Sequence, residues 1–203
     1  MPSARLRLAL AVLVACTLAA VGGVWLASSR GEPAPAVGAT GFAGSLRPPG
    51  LMAPPLGGLR DQDGSTVDPA ALRGTPVIYT FVYSTCEDTC PTQVQTIRGA
   101  LDRLGRDIPV IAVSVDPAGD TPRRAERFML DQQMTGRMRF LLGSREELEP
   151  VWDRYAIQPQ SGELDHSAYV VLVDGNGRQR VGWPHQYLTP EGLEHDLRVL
   201  LEA

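Results

Sequence analysis

The sequence predicts an α/β fold in which helices flank a central mixed sheet. Short apolar, β-branched runs alternate with segments whose apolar residues recur every three or four positions, as in amphipathic helices. The chain then closes on a hairpin signal and a last helix. With 43% hydrophobic and 21% charged residues among 203, the composition is that of an ordinary globular domain. Strands that alternate with helices build a sheet covered by helices.

The first half of the predicted domain alternates between strand and helix. A turn signal in residues 61–64 indicates a small hairpin ahead of the core. Residues 77–83 have the apolar and β-branched content of a buried strand, and residues 92–104 carry an apolar stripe at helical spacing. Residues 108–115 form the next buried strand. Residues 121–133 open with Thr-Pro, a typical N-cap and first helical position, and form the second helix.

The second half ends in a hairpin and a helix. Residues 139–142 form a short strand, and residues 144–155 open with a Ser-x-x-Glu capping box and form a helix. The strands 168–173 and 178–182 flank an Asp-Gly-Asn-Gly turn, a strong hairpin signal. A last helix begins at Thr189. This order of elements, with a cysteine pair after the first core strand, is that of the thioredoxin-like fold.

The N-terminal segment has the composition of a membrane-spanning helix. Residues 8–27 form an uncharged run of 20 residues, which as a helix would span about 30 Å, the thickness of a bilayer core. Arg5 and Arg7 precede the run and favour retention of the N-terminus in the cytoplasm. We therefore predict a single-pass protein of the inner (plasma) membrane whose soluble domain lies on the periplasmic side.

The chain is predicted to have three parts: an N-terminal signal-anchor helix over residues 1–28, a Pro/Gly-rich linker over residues 29–56, and a thioredoxin-like domain over residues 57–203. Residues 13–16 resemble a bacterial lipobox, which would make Cys16 a lipidated N-terminus. The run stays apolar beyond that cysteine, so an uncleaved anchor ranks first.

The predicted domain is acidic. The whole chain has a net charge of −4, and residues 57–203 carry 15 arginines against 22 acidic residues. Proteins that bind nucleic acid present basic surfaces to the phosphates. The charge therefore argues against nucleic acid as a partner.

Two cysteines follow the first core strand. Cys86 and Cys90 are four residues apart, and Pro91 suits a first helical turn, which places the pair in the strand-to-helix loop and first turn. Backbone N–H groups and the helix dipole favour thiolates there. The spacing permits both a metal clamp and a reversible disulfide. A purely structural disulfide is a weaker interpretation, because so short a loop removes little entropy from the unfolded chain.

His166 stands in the loop before the late strand 168–173. In a thioredoxin-like arrangement this loop lies beside the dithiol, which makes His166 a candidate third ligand. Two thiolates and one imidazole form a soft, three-coordinate set suited to Cu(I). Structural zinc would need a fourth protein ligand, for which Asp116 or Asp165 could serve in principle. Adjacent side chains of an extended segment point to opposite faces, which disfavours Asp165.

The remaining polar candidates have ordinary explanations. Glu87 and Asp88 separate the cysteines. Their negative charge opposes thiolate formation and favours a bound cation. Alternatively, they are solvated acids at a helix N-terminus, where they interact favourably with the helix dipole. His185 follows Trp-Pro in a loop, and His195 falls in the polar pattern of the last helix. Neither histidine is predicted to be a ligand.

Four segments of the chain resemble the Sco/SenC family, and the resemblance covers roughly residues 57–203. The segments are TFVYSTCEDTCP over residues 80–91, VDPAGDTP over 115–122, Asp165-His-Ser167 and Thr189-Pro-Glu191. The cysteine motif and the histidine motif together are specific, whereas either alone is weak. This sequence departs from the family in having Glu87 where proline is common.

The resemblance implies a membrane-tethered, thioredoxin-fold copper chaperone that acts in cytochrome c oxidase assembly. Copper, as Cu(I) or Cu(II), would be bound by Cys86, Cys90 and His166. It would be delivered by ligand exchange to the CuA site of cytochrome c oxidase subunit II or to another copper acceptor. A periplasmic copper donor or a thiol reductant would be a further partner. Such a metallochaperone is not an enzyme.

Two alternatives to the chaperone stay open. A thiol-disulfide oxidoreductase would reduce the cysteines of the copper acceptor site, with Cys86 or Cys90 as the catalytic thiol, and it would need no histidine. A copper or redox sensor would signal through a partner surface, and no motif in the sequence distinguishes it.

Overall fold

The computed structural model describes Cys16, residues 41–160 and residues 167–203. The predicted anchor apart from Cys16, the linker up to residue 40, and the candidate ligands Asp165 and His166 lie outside the described residues. Cys16 is helical and exposed.

The described residues of the domain form a six-stranded mixed sheet. Its strands are β1 Ser45–Leu46, β2 Val77–Val82, β3 Val110–Ser114, β4 Met138–Leu141, β5 Tyr169–Val173 and β6 Gln179–Pro184, in the order β1-β6-β5-β2-β3-β4. The strands β2, β3 and β4 run parallel, and β5 lies antiparallel to both β2 and β6. The predicted central mixed sheet is thereby confirmed.

Four helices cover the two faces of this sheet in the described residues. They are α1 Thr89–Leu104, α2 Pro122–Asp131, α3 Arg145–Tyr155 and α4 Pro190–Glu202. The helices α1, α2 and α4 share one apolar core with one face of the sheet, and α3 packs on the other face. Because both faces are covered, every residue of β2 is buried, which explains its continuous apolar run.

The predicted helix starts are confirmed by their caps. Thr121 Oγ1 accepts from the Arg124 N–H at the start of α2, and Thr189 Oγ1 accepts from the Gly192 N–H at the start of α4. Ser144 and Glu147 form the predicted capping box of α3. Each cap satisfies backbone N–H groups that a first turn leaves without helical partners, so these boundaries were readable from the sequence.

The N-terminal part of the described domain is hydrogen-bonded to the last helix, α4. Asp196 on α4 is fully buried and accepts hydrogen bonds from the Ala43 N–H at 2.7 Å, the Gly44 N–H at 3.0 Å and Trp183 Nε1 at 3.0 Å. Residues 45 and 46 then pair with β6. Residues 41–56 thus contact the sheet although they belong to the predicted linker, and the three-part division of the chain stays a prediction.

The predicted single-pass location in the inner membrane is corrected by the structure. Among the described residues, no helix is long and apolar enough to cross a bilayer. The longest described helix, α1, has 16 residues and packs its apolar side chains on the sheet, whereas a spanning helix needs about 20 apolar residues. The run over residues 8–27, apart from Cys16, lies outside the described part of the chain.

Candidate dithiol site

The candidate site lies at the edge of the sheet where β2 and β3 end. The two strands are parallel, so their carboxyl ends meet at one edge, and β5 is antiparallel to β2 and begins there. The loop from Ser84 to Asp88 leaves β2 at this edge and carries Cys86, and the first turn of α1 carries Cys90. The predicted placement of both cysteines is confirmed.

The two cysteines are close together but differ in exposure. Cys90 is 1% exposed, whereas Cys86 is only partly buried. The Cys90 N–H donates to Cys86 Sγ at 3.3 Å, and the Cys86 N–H donates to the Tyr83 carbonyl at 3.3 Å. An N–H of the first helical turn that donates to sulfur stabilises a negative charge on that sulfur.

The hydrogen bond between the thiols shifts the two pKa values in opposite directions. Donation from the Cys90 thiol, assisted by the backbone N–H groups of Cys90 and Asp88 and opposed by burial, lowers the pKa of Cys86 from 9.0 to about 5. Donating that hydrogen bond and being buried both raise the pKa of Cys90. At neutral pH the pair is therefore an accessible thiolate beside a buried thiol. Such a pair can bind a soft cation or attack a disulfide.

A buried carboxylate that the sequence interpretation missed supports the loop. Asp120, between β3 and α2, accepts hydrogen bonds from the Ser84 N–H at 2.7 Å, from Ser84 Oγ at 2.5 Å and from Ser114 Oγ at 2.5 Å. Burial raises the pKa of Asp120, and the donated hydrogen bonds from Ser114 and Ser84 oppose this. In the sequence, the Asp-x-x-x-Asp-Thr-Pro run belongs to one of the four segments that carry the family resemblance, but nothing in it marks Ser84 as a partner of Asp120.

A buried amide links the first turn of α1 to the start of β5. Gln93 is 1% exposed, and its Nε2 donates to Thr80 Oγ1 at 2.6 Å and to the Tyr169 carbonyl at 3.3 Å. Its Oε1 is buried without a hydrogen-bond partner among the described residues. Gln93 stands one helical turn after Cys90, so it ties the dithiol to the strand that follows the histidine motif. The available sequence signal for Gln93 was its position as a polar residue among the buried residues of α1.

The described residues that flank the segment 161–166, Gln160 and Ser167, lie at the edge of the sheet that carries the dithiol. On one side of it, the Gln160 N–H donates to the carbonyl of Val115, directly after β3. On the other side, the Ser167 N–H donates to the Gln158 carbonyl at 3.1 Å. His166 itself lies outside the described residues, so its distance from the two sulfurs stays a prediction.

Two of the other candidates have side-chain partners of their own. Asp116 Oδ1 accepts from the Gly119 N–H at 3.0 Å and closes its own turn, and His195 Nε2 lies 3.0 Å from the Gly41 carbonyl. The backbone N–H of His185 donates to the Ala168 carbonyl at 3.0 Å, whereas its ring Nδ1 is buried without a hydrogen-bond partner among the described residues. Glu87 and Asp88 are exposed. Among the described residues, no group of three or more His, Cys, Asp or Glu side chains could hold a metal ion.

The amino-acid sequence is similar to those of known proteins over most of this domain. The model of the SCO1/SenC family matches residues 58–202. An SCO2-like protein of Rickettsia prowazekii is 27% identical over 132 residues. That match covers 59% of this chain and 63% of the relative, so it spans less than two thirds of the relative's length.

Solved structures share the fold. Copper-bound ScoI of Bradyrhizobium japonicum is 28% identical with a TM-score of 0.59, and the match covers 78% of this chain and 99% of that one. BsSco, a member of the Sco family of cytochrome c oxidase assembly proteins in which a disulfide switch was identified, has a TM-score of 0.66 at 22% identity, with coverages of 77% and 98%. The predicted thioredoxin-like α/β fold of the domain is confirmed by this similarity.

Proposed function

The chain belongs to the SCO1/SenC family, and on that premise we propose that it is a copper metallochaperone that delivers copper to the CuA site of cytochrome c oxidase subunit II or to another copper acceptor. The observation that supports this most strongly is the paired state of the thiols. An accessible Cys86 thiolate stands next to a buried Cys90 thiol, in a loop whose hydrogen bonds hold both in place.

The proposed copper ligands are Cys86, Cys90 and His166. Sulfur and imidazole nitrogen are the ligands that Cu(I) prefers, and the described residues supply the two sulfurs side by side. The residues that flank His166 lie at the same edge of the sheet as the dithiol, which supports the histidine as third ligand. A soft three-coordinate set leaves room for a ligand of the acceptor to enter.

The different exposure of the two sulfurs suggests an order of events. Cys86 is accessible and already a thiolate, so it is the first ligand to meet incoming copper. Cys90 must lose its proton when it binds the metal, because only a thiolate is a good ligand. In transfer to an acceptor, the accessible Cys86 is the sulfur that the acceptor's ligands can reach. A copper donor or a thiol reductant then restores the starting state.

The test is copper binding to the purified full-length protein. Competition with a Cu(I) chelator gives the affinity, and X-ray absorption counts the sulfur and nitrogen neighbours. We expect one copper per chain with two sulfurs and at least one nitrogen, and loss of the nitrogen in His166→Ala. His195→Ala is the matched control, because that imidazole contacts the Gly41 carbonyl. An unchanged copper spectrum in Cys86→Ser or His166→Ala would refute the ligand assignment.

A second candidate function is thiol-disulfide exchange with the acceptor's cysteines. The lowered pKa of Cys86 together with its exposure favours this activity, because an accessible thiolate is the attacking species. Cys86 would attack the acceptor's disulfide to form a mixed disulfide, and Cys90 would displace the reduced acceptor and leave a Cys86–Cys90 disulfide. Reduction of a disulfide-bonded acceptor that survives His166→Ala and needs no copper would favour this candidate over the chaperone.

A further inference from the structure

The loop that carries Cys86 is tied to the neighbouring strand by one carboxylate. Asp120 is 9% exposed and holds Ser84 through both its N–H and its Oγ, at 2.7 and 2.5 Å. Its other oxygen accepts from Ser114 Oγ at 2.5 Å, at the end of β3. Ser84, Asp120 and Ser114 thus form a clamp across three segments of the chain, called here the Asp120 clamp.

The clamp holds this loop by short hydrogen bonds. Ser84 stands two residues before Cys86, and the hydrogen bond from the Cys86 N–H to the Tyr83 carbonyl is longer, at 3.3 Å. Hydrogen bonds to a carboxylate are shorter and stronger than neutral ones. A carboxylate buried in this way is costly unless its oxygens find donors, and all three of its donors here belong to the loop or the adjacent strand.

We propose that Asp120 is a positioning residue for the dithiol, holding Ser84 so that Cys86 Sγ stays beside the N–H of Cys90. Its influence on copper affinity rests on the proposed function, whereas its influence on the metal-free dithiol does not. Asp120 acts through the loop, and losing it lets Cys86 move away from the hydrogen bond that favours the reduced, paired state.

Two substitutions separate geometry from charge. In Asp120→Asn the amide oxygen still accepts both Ser84 donors, and the amide NH₂ donates to Ser114 Oγ, because a hydroxyl can donate or accept. Asp120→Ala removes the clamp entirely. If Asp120 acts by positioning the loop, Asp120→Asn must keep the properties of the dithiol that Asp120→Ala loses.

The matched control is Asp196, another buried carboxylate. Asp196 is fully buried and also accepts three hydrogen bonds, from Ala43, Gly44 and Trp183. None of these partners belongs to the dithiol loop. Asp196→Ala therefore lowers stability as a buried-carboxylate deletion does, without touching the positioning of Cys86.

Two measurements on the full chain carry the test. One is the equilibrium of the metal-free dithiol with glutathione disulfide, in which the protein forms its Cys86–Cys90 disulfide and two glutathione molecules are released. The other is Cu(I) affinity by chelator competition. In Asp120→Ala we expect Cu(I) affinity to fall about tenfold, in the lower range for an outer residue that orients a ligand. The redox equilibrium should also shift toward the disulfide by about tenfold, because the hydrogen bond from the Cys90 N–H that stabilises the reduced Cys86 sulfur is then lost.

The remaining variants decide the outcome. Asp120→Asn should stay within about threefold of the wild type in both measurements, and Asp196→Ala should match the wild type while unfolding at lower denaturant. If Asp120→Ala does not fold, Ser84→Ala removes one donor and should shift both values in the same direction by about threefold.

Three results would overturn the positioning role: wild-type values in Asp120→Ala, equal shifts in Asp196→Ala, or a loss of Cu(I) affinity without a shift in the redox equilibrium. A wild-type protein that binds no Cu(I) would overturn the proposed function instead. The glutathione equilibrium would still report on the clamp in that case.

Discussion

The two edges of the sheet differ in what they hold. The edge at the end of β2 carries two thiols with opposite pKa shifts and a carboxylate that clamps their loop. The other edge, where β2 begins, borders a cavity of about 600 Å³ lined among others by Arg73, Asp174 and Arg180. The charged groups there are already matched, with Arg180 Nη1 at 3.1 Å from Asp174 Oδ2.

The contrast shows that the volume of a cavity does not indicate where the reactive groups of this protein lie. The carboxylate of Asp174 accepts hydrogen bonds from the Asn176 and Arg178 N–H groups of its own turn and from the Arg180 side chain. At the dithiol edge, several hydrogen bonds are instead donated to Cys86 Sγ, where they stabilise the reactive thiolate. Perturbed, partly accessible groups mark functional sites more specifically than cavities do.

The largest expected effect is loss of copper binding in Cys86→Ser. Removal of one of two sulfurs should lower Cu(I) affinity by at least about 100-fold, more than the loss of a supporting residue does. Chelator competition measures the affinity. Asp174→Asn, at the opposite edge, is the control and should bind Cu(I) as the wild type does; comparable losses in both variants would abolish the contrast between the edges.

The next largest effect is selective alkylation of Cys86 in the metal-free protein. Its pKa is lowered from 9.0 to about 5, so the thiolate is lost only as the pH falls through about 5 and is nearly fully present at pH 7. Cys90, whose pKa is raised and which is buried, should react more than about tenfold more slowly. Mass spectrometry after iodoacetamide pulses from pH 4 to 9 gives both profiles. A midpoint near the unshifted value of 9.0 for Cys86 would contradict the prediction.

A smaller effect is expected from Gln93→Leu beside the dithiol. The substitution removes a buried amide that bonds Thr80 Oγ1 and the Tyr169 carbonyl. Groups left without partners in the interior cost about 1–3 kcal/mol, partly offset because the orphaned Gln93 Oε1 is removed as well. Denaturant unfolding measures the loss. The control is Gln186→Leu at an exposed position, which should leave the free energy of unfolding within about 0.5 kcal/mol. An equal loss in both variants would contradict a specific contribution of the buried amide.

The smallest effect is expected at the opposite edge. Arg180→Ala breaks a partly exposed ion pair with Asp174, and pairs of this kind contribute about 1 kcal/mol or less. Thermal or denaturant unfolding should show a change of that size, and the alkylation rate of Cys86 should not change. A slower or faster alkylation in this variant would mean that the two edges are coupled.

Much of the fold could be predicted because its signals are local. The caps at Thr121, Ser144 and Thr189 depend on residues within one helical turn, and the hairpin around residues 174–177 depends on its own glycines. The placement of Cys86 and Cys90 followed from the end of a buried strand and from Pro91, which suits a first helical turn. The predicted membrane location was wrong for the described chain, because none of its described helices is long and apolar enough to span a bilayer.

What the sequence by itself determined is the order of elements, their ends and the position of the dithiol, because each depends on neighbours a few residues away. Only the tertiary structure decided which distant groups meet: Asp120 with Ser84, Gln93 with Tyr169, and Asp196 with Ala43. These pairs lie 36, 76 and 153 residues apart. The order of strands in the sheet and the side of it that each helix covers bring them together, and no local pattern encodes that order. The same packing makes Cys86 an accessible thiolate and Cys90 a buried thiol, although the sequence presents them as equals.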